Sequence, residues 1–514
     1  MTDGELILAG GALLAAGLTA SLLASSFRVP ALVLVLGAGM LIGSDGTGWI
    51  DFDDYELART IGVISLALIL FEGGLASGWG EIGPVLRPAV LLAFVGTILT
   101  AVLTGLVAAW LFDFSTLEGL LLGSVLAATD AAAVFSVLRI STLRRRLART
   151  LEGESGLNDP VAVLLVLGFI EWIQNDTFGF GDMVVLFVED LAIGLGVGLA
   201  VGYLGVELLK RSRLASGGLY PVATLAIAAI AFGGSDVLGG SGFLAVYLAG
   251  LMLGSRQIPA RRTIAAFHEG LSWVAQVAMF FTLGLLVFPS DLGSVALEAI
   301  ILAIVAVAIA RPLAAFAATA FERFTAGERV ILGWAGMRGA VPVVLATFPV
   351  IEGVPHSQDF FNIAFFAVLI STVAQGATIE PLARRLRMTT TSPALPRPLG
   401  ESATVQGLGA EIVEFPVAKG DAIAGMHVRD LGLPREALVN VIVRSGRAIP
   451  PRGSTRVSAG DVLHVMVARS ASTEMYPLLE RWRSGPMQTH AAREDEVWMT
   501  MPVLRARQPT DGDD

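Results

Sequence analysis

The sequence predicts an all-α polytopic membrane protein followed by a small cytoplasmic α+β domain, and three observations carry that prediction. First, of 514 residues 54% are hydrophobic and only 16% charged, against about 25% charged in a typical soluble domain. Second, apolar windows recur near 6–25, 29–43, 57–75, 88–112, 117–138, 155–173, 183–209, 219–233, 237–254, 271–289, 293–320, 328–350 and 360–383, thirteen candidate spans; about 20 apolar residues cross a bilayer. Third, the cations collect in every second loop: Arg28; Arg87; Arg144, Arg145, Arg146 and Arg149; Lys210, Arg211 and Arg213; Arg256, Arg261 and Arg262; Arg323 and Arg329; Arg384, Arg385 and Arg387. The loops between them are acidic or neutral, and only Arg59 blurs the alternation. By the positive-inside rule the N-terminus lies outside and the C-terminus in the cytoplasm of a cell bounded by this membrane.

Composition also excludes. Zero cysteines rule out disulfides, iron–sulfur clusters and thiolate metal sites. A net charge of −10 with no basic patch interleaved with aromatics argues against nucleic acid. The segment Met1-Thr-Asp-Gly-Glu5 lacks the basic region of a cleavable signal, so the first apolar span is expected to be retained.

Along the chain, the fifth window places Thr129 and Asp130 near its middle. The sixth opens on Glu154-Ser155-Gly156-Leu157-Asn158-Asp159-Pro160. A carboxylate in hydrocarbon costs roughly 2.5–3.5 kcal/mol even on the lenient insertion scale, so such groups mark ion or proton pathways by default. On a helix Ser155 and Asp159 share a face, with Asn158 beside them. These are hard oxygen ligands, suited to a small cation that is not a transition metal. The competing reading makes the same stretch a helix start at the membrane surface, capped by Ser155 or Asn158. In the seventh window Gly194, Gly198 and Gly202 repeat at four-residue spacing, which reads as helix packing. The eleventh holds Arg311 before Pro312, and the twelfth holds Gly333-Trp-Ala-Gly336-Met-Arg338-Gly339-Ala-Val-Pro342. Glycine and proline weaken helical hydrogen bonding, and two interrupted spans at matching positions in two halves point to a transporter site. The five histidines are read as surface groups: His268 and His356 in loops, His427, His464 and His490 in the soluble part.

After Arg387 the character changes. The membrane domain is read as 1–387, and 388–408 as a Thr/Pro-rich linker. Residues 409–470 form a small domain with strands at 411–417, 438–444 and 462–467, turns at Ser445-Gly446 and Gly460-Asp461, and a short helix at 426–433. The polar stretch 471–514 is expected to be largely disordered.

Five motifs in this order, Phe71-Glu-Gly-Gly-Leu75, Ala128-Thr-Asp-Ala131, Gly153-Glu-Ser-Gly-Leu-Asn-Asp-Pro160, Gly242-Phe-Leu-Ala-Val-Tyr-Leu-Ala-Gly250 and Gly336-Met-Arg-Gly-Ala340, resemble the monovalent cation:proton antiporters of the NhaP branch. The resemblance implies a thirteen-helix, NhaA-like inverted-repeat fold with crossed, partly unwound helices, and a homodimer. It implies that a monovalent cation is held at Asp159, Asp130, Ser155 and Thr129, and that Glu72 is either a further ligand or an approach residue. The Asn158-Asp159 pair looks like the electroneutral branch. The soluble domain is similar to the TrkA-C ligand-binding module of potassium-conductance regulators, and antiporters carrying it are usually potassium/proton exchangers.

On this reading Asp159 binds a proton or a cation but never both, which couples the two fluxes one for one. Asp130 and the Thr129 carbonyl supply more oxygens. Arg338 neutralises Glu154, and Arg311 serves similarly. Sodium remains open beside potassium, since these oxygens serve either ion. A ligand-gated channel is disfavoured by the absence of a Thr-Val-Gly-Tyr-Gly filter, and a hydrolase by the absence of Gly-x-Ser-x-Gly and His-Glu-x-x-His. No Gly-x-Gly-x-x-Gly follows a strand in the soluble part, so NAD is not expected. No resident cofactor is expected; a nucleotide is the candidate effector, with Arg444 and Arg447 either phosphate contacts or ordinary surface charge.

Overall fold

The computed structural model describes residues 3–27, 31–130, 134, 143–212, 214–290, 293, 295–389, 410–444, 447–468 and 472–485. Arg28, Arg213, most of 131–142, nearly all of the linker, the Ser445-Gly446 turn, His490 and the tail beyond 485 lie outside the described residues. The chain divides into two units, Met1–Arg397 and Pro398–Asp514.

The first unit is helical: α1 (Asp3–Phe27), α2 (Ala31–Ile42), α3 (Tyr55–Ser77), α4 (Trp79–Phe112), α5 (Thr116–Ala127), α6 (Arg145–Gln174), α7 (Phe180–Arg211), α8 (Leu219–Val237), α9 (Gly242–Gly254), α10 (Arg261–Leu285), α11 (Ala296–Ala318), α12 (Ala326–Trp334), α13 (Ala340–Ile351) and α14 (Ser357–Arg385). Among the described residues eight of these are long and apolar enough to cross a membrane, and shorter apolar helices cover the remaining windows. The α6 and α10 helices start earlier than the windows suggest, at Arg145 and Arg261. Their first turns carry arginines, which a hydropathy window discards although the backbone is already helical.

Local chemistry sets the ends. Asp54 caps α3 by accepting from the Leu57 amide, and Ser115 with Glu118 forms a capping box on α5. Close approach sets the packing. The Gly194–Gly198–Gly202 stripe of α7 lies against α9, where an added Cβ would press on Ser241, Ala245 and Ala249. The α4 and α11 helices each contain a π turn, at Leu92–Gly96 and Ala306–Ala310. Such turns release a carbonyl and rotate everything beyond them, and they often occur at functional sites.

The second unit is an antiparallel sheet in the order β1 (Ala410–Pro416), β4 (Val462–Ala468), β2 (Ala437–Arg444), β3 (Arg447–Ile449). The strands read from sequence appear within a residue or two, and β3 is an addition. The expected helix at 426–433 is a single 3-10 turn, Val428–Asp430. The fold continues past residue 470: helix α15 (Ser472–Ser484) puts Trp482 into the core, edge-on to Phe415 at 5.2 Å, with its indole N–H donating to the Leu431 carbonyl at 2.7 Å.

Candidate functional site

Two helix breaks cross inside the first unit. The α5 helix stops at Ala127, and Ala128 turns extended; α12 stops at Trp334 and the helix resumes at Ala340. Every helix end leaves backbone groups without intrahelical partners, with partial positive charge at N-termini and negative at C-termini. Here each break is satisfied by the other. The Arg338 guanidinium donates from Nε to the Leu126 carbonyl at the end of α5, 2.6 Å. In return the Asp130 carboxylate accepts from the Ala340 amide at the start of α13, 2.9 Å. The Asp130 amide donates to the Met337 carbonyl, also at 2.9 Å, tying the two extended segments together. Gly339 is required at the crossing, since a Cβ there would collide with the Asp130 side chain. Ser371, Thr372 and Gln375 of α14 brace the second break through Arg338 N, Arg338 O and the Trp334 carbonyl.

The α6 helix runs beside this crossing. The Glu154–Pro160 stretch falls well inside it rather than at its start, and all of it is buried, so the surface-cap reading is overturned. Asn158 donates to the Thr129 hydroxyl, and Thr129 Oγ1 lies 3.4 Å from Ser155 Oγ. Asp159 is fully buried within electrostatic range of Asp130. Neither Asp159 carboxylate oxygen has a hydrogen-bond partner among the described residues, and neither does the Asn158 carbonyl oxygen. Pro160, next in the chain, has no N–H to give the Gly156 carbonyl. The arrangement gathers oxygens from three chain segments, with an acidic group that water would otherwise solvate. Glu72 is partly buried on the last turns of α3.

Two sequence readings need correction. Glu154 pairs with Arg311, not Arg338. Arg338 instead serves carbonyls, those of Leu126 and of Ala306 in the π turn, the latter at 3.3 Å from Nη2. His268 is not a surface loop residue. It is buried on α10, its Nε2 2.8 Å from Thr224 Oγ1, with its ring 4.9 Å from that of Phe71. The Thr224 hydroxyl already donates to the Pro221 carbonyl, 2.8 Å. It therefore accepts from histidine, which fixes the Nε2–H tautomer.

In the second unit Arg444 grips Asp461 with Nε and Nη2 at 2.7 and 2.8 Å and also donates to the Arg456 carbonyl. It is a structural group, while Arg447 is exposed.

The family profile described as sodium/hydrogen exchanger, transmembrane, matches residues 12–385, and the TrkA-C domain profile matches 412–480. A K(+)/H(+) antiporter NhaP2 of Shewanella baltica is 38% identical over 464 residues, 89% of this chain and 80% of that protein. A K(+)/H(+) antiporter NhaP of Alkalimonas amylolytica is 37% identical, over 86% of this chain and 77% of its own. The solved sodium proton antiporter MjNhaP1 of Methanocaldococcus jannaschii superposes with a TM-score of 0.63 at 23% identity, covering 74% of this chain and 99% of that one.

Proposed function

The chain belongs to the sodium/hydrogen exchanger family, and from that membership we propose that it exchanges K⁺ for H⁺, one for one, at Asp159. The observation that carries the site is the Asp159 carboxylate, buried beside two crossed helix breaks with no hydrogen-bond partner among the described residues. A charge so placed is costly unless something neutralises it. A proton does so, and so does a cation shared with Asp130, Ser155 and the Thr129 carbonyl. The two occupants exclude each other, so the site crosses the membrane loaded and stays put when empty. Asn158 holds Thr129 in register, and Glu72 lines the approach.

Potassium is favoured over sodium by the names of the relatives and by the appended TrkA-C module. The alternation of loop charge supports an N-terminus outside and a second unit in the cytoplasm. There the module biases the exchanger by binding a small ligand; a nucleotide would need phosphate contacts other than Arg444. The exposed apolar side chains of α7, among them Val188, Leu195 and Leu204, support pairing with a second copy within the bilayer.

The test is a pH-sensitive dye in reconstituted vesicles, with K⁺, Na⁺ and Li⁺ added separately. The expected result is a response to K⁺ that exceeds the others, and none to any cation in Asp159→Asn, which still inserts. Exchange retained in that variant removes Asp159 from its role, and a larger Na⁺ response overturns the choice of ion.

A further inference from the structure

Two turns before Asp159 the same helix carries an acidic group that the exchange described above does not use. Glu152, Ser155 and Asp159 stand at positions i, i+3 and i+7, on one face of α6. Glu152 is 4% exposed. Its Oε2 accepts from Arg149 Nη1 and its Oε1 from the Ser77 hydroxyl at the end of α3, both at 2.5 Å. Arg149 Nε in turn lies 2.9 Å from Glu81 Oε2, and Glu81 Oε1 2.5 Å from Arg145 Nη2. Side-chain exposure falls steadily along this series, from 53% at Arg145 through 32% at Glu81 and 10% at Arg149 to 5% at Glu152. Charged groups of alternating sign thus lead from the arginine-rich face inward along α6.

Tyr247 of α9 covers the next step. Its ring packs where a side chain at Gly156 would stand, within electrostatic range of Glu152. Its hydroxyl is buried with no hydrogen-bond partner among the described residues. A carboxylate serving only to pair with Arg149 and to hold Ser77 of α3 does not call for an unpartnered hydroxyl beside it. Arg149, moreover, already touches a second carboxylate, so it can leave Glu152 without being stranded as a buried, unpaired charge.

We propose that Glu152 is a staging carboxylate on the arginine-rich side of the exchange path. It takes a monovalent cation or a proton from water when Arg149 turns to Glu81, with the Ser77 and Tyr247 hydroxyls as further oxygens. It then hands that occupant to Asp159, about 10 Å deeper along the helix. This rests on Asp159 being the exchange site. While the path is open to that face, a unit charge at that distance, with an effective dielectric of about 20, raises the local concentration of entering cation by about tenfold, and partial screening lowers this to about threefold.

The experiment measures cation KM from each membrane face separately, in vesicles sorted by the accessibility of a C-terminal tag. Glu152→Gln keeps a hydrogen bond for Ser77 and loses the charge. It is expected to raise KM about three- to tenfold at the arginine-rich face only, with Glu152→Asp restoring part of the loss. A fall in maximal rate that is equal from both faces, or an unaltered KM at the arginine-rich face, overturns the proposal. Arg149→Gln serves as the second variant, decisive if Glu152→Gln does not insert: releasing the carboxylate lowers KM on the same face, and an effect without sidedness overturns the proposal. Asp159→Asn is run beside them. Silence from both faces in that variant leaves Glu152 judged on its own result, whereas persisting exchange removes the site on which the proposal rests.

Discussion

Glu154 and Arg311 meet in the protein interior at 2% and 1% side-chain exposure. Two charges so buried gain stability from each other only because each alone would be worse. Replacing one partner, as in Arg311→Met, is therefore expected to cost about 3–5 kcal/mol. The double change Arg311→Met with Glu154→Leu returns most of that. Thermal unfolding of both single variants and the double variant in detergent gives the coupling directly. Sequence reasoning identified both arginines and the glutamate but paired the glutamate with Arg338. The error has a physical source. Arg311 follows the π turn Ala306–Ala310, whose extra residue rotates the helix beyond it, and no hydropathy pattern reports that rotation. His268 was lost for a similar reason: it lies in the polar first turns of α10, outside the apolar window, yet its ring is buried against Phe71 and Thr224.

At the scale of elements, the two breaks are where sequence was most informative, because glycine, proline and an intramembrane charge are rare together. What it did not reveal is the exchange of partners, Asp130 with the Ala340 amide and Arg338 with the Leu126 carbonyl. Gly339→Ala tests that crossing. Its new Cβ must displace the Asp130 carboxylate, and misplacement of a reacting group by about 1 Å can cost up to about 100-fold. Near-complete loss of exchange in a protein that still inserts is expected; normal exchange would mean the crossing tolerates movement. In the second unit the Arg444–Asp461 clasp closes β4 onto β2. The hydrogen bonds from Arg444 hold the Asp461 carboxyl below the usual carboxylate range. A group so depressed contributes fully above its unfolded value near 3.9 and loses that contribution as pH falls through the lower folded value. Asp461→Asn should therefore cost this domain about 1–2 kcal/mol at neutral pH, discounted for the exposure of Arg444. The variant should also lack the acid-induced loss expected of the parent. Pulse proteolysis of the full chain from pH 7 down to pH 3 reads both.

For the whole molecule the decisive quantity is charge. Around the crossing the buried ionisable groups among the described residues are Asp130, Glu154 and Asp159 against Arg311 and Arg338, three negative and two positive. Nearer the arginine-rich face, Arg149 and Glu152 cancel. On the proposed assignment of the site, the assembly that changes its exposure from one side to the other carries one net negative charge when empty and none when it holds either a single proton or a single monovalent cation. A neutral assembly crosses the membrane field without electrical work, whereas each net elementary charge moved through it costs about 2.3 kcal/mol per 100 mV. Exchange is accordingly expected to be indifferent to voltage in both half-cycles. Vesicles clamped with valinomycin confound a K⁺ exchanger, so the clamp is better set by a gradient of a membrane-permeant anion that carries no proton, while the rate is followed by the pH dye. A rate that holds within about 20% across 100 mV agrees with one charge neutralised at a time. A rate that changes several-fold requires a second ion in the cycle, since a single uncompensated charge across that potential corresponds to a Boltzmann factor of about 50, and the five-group balance would then no longer describe the transport site.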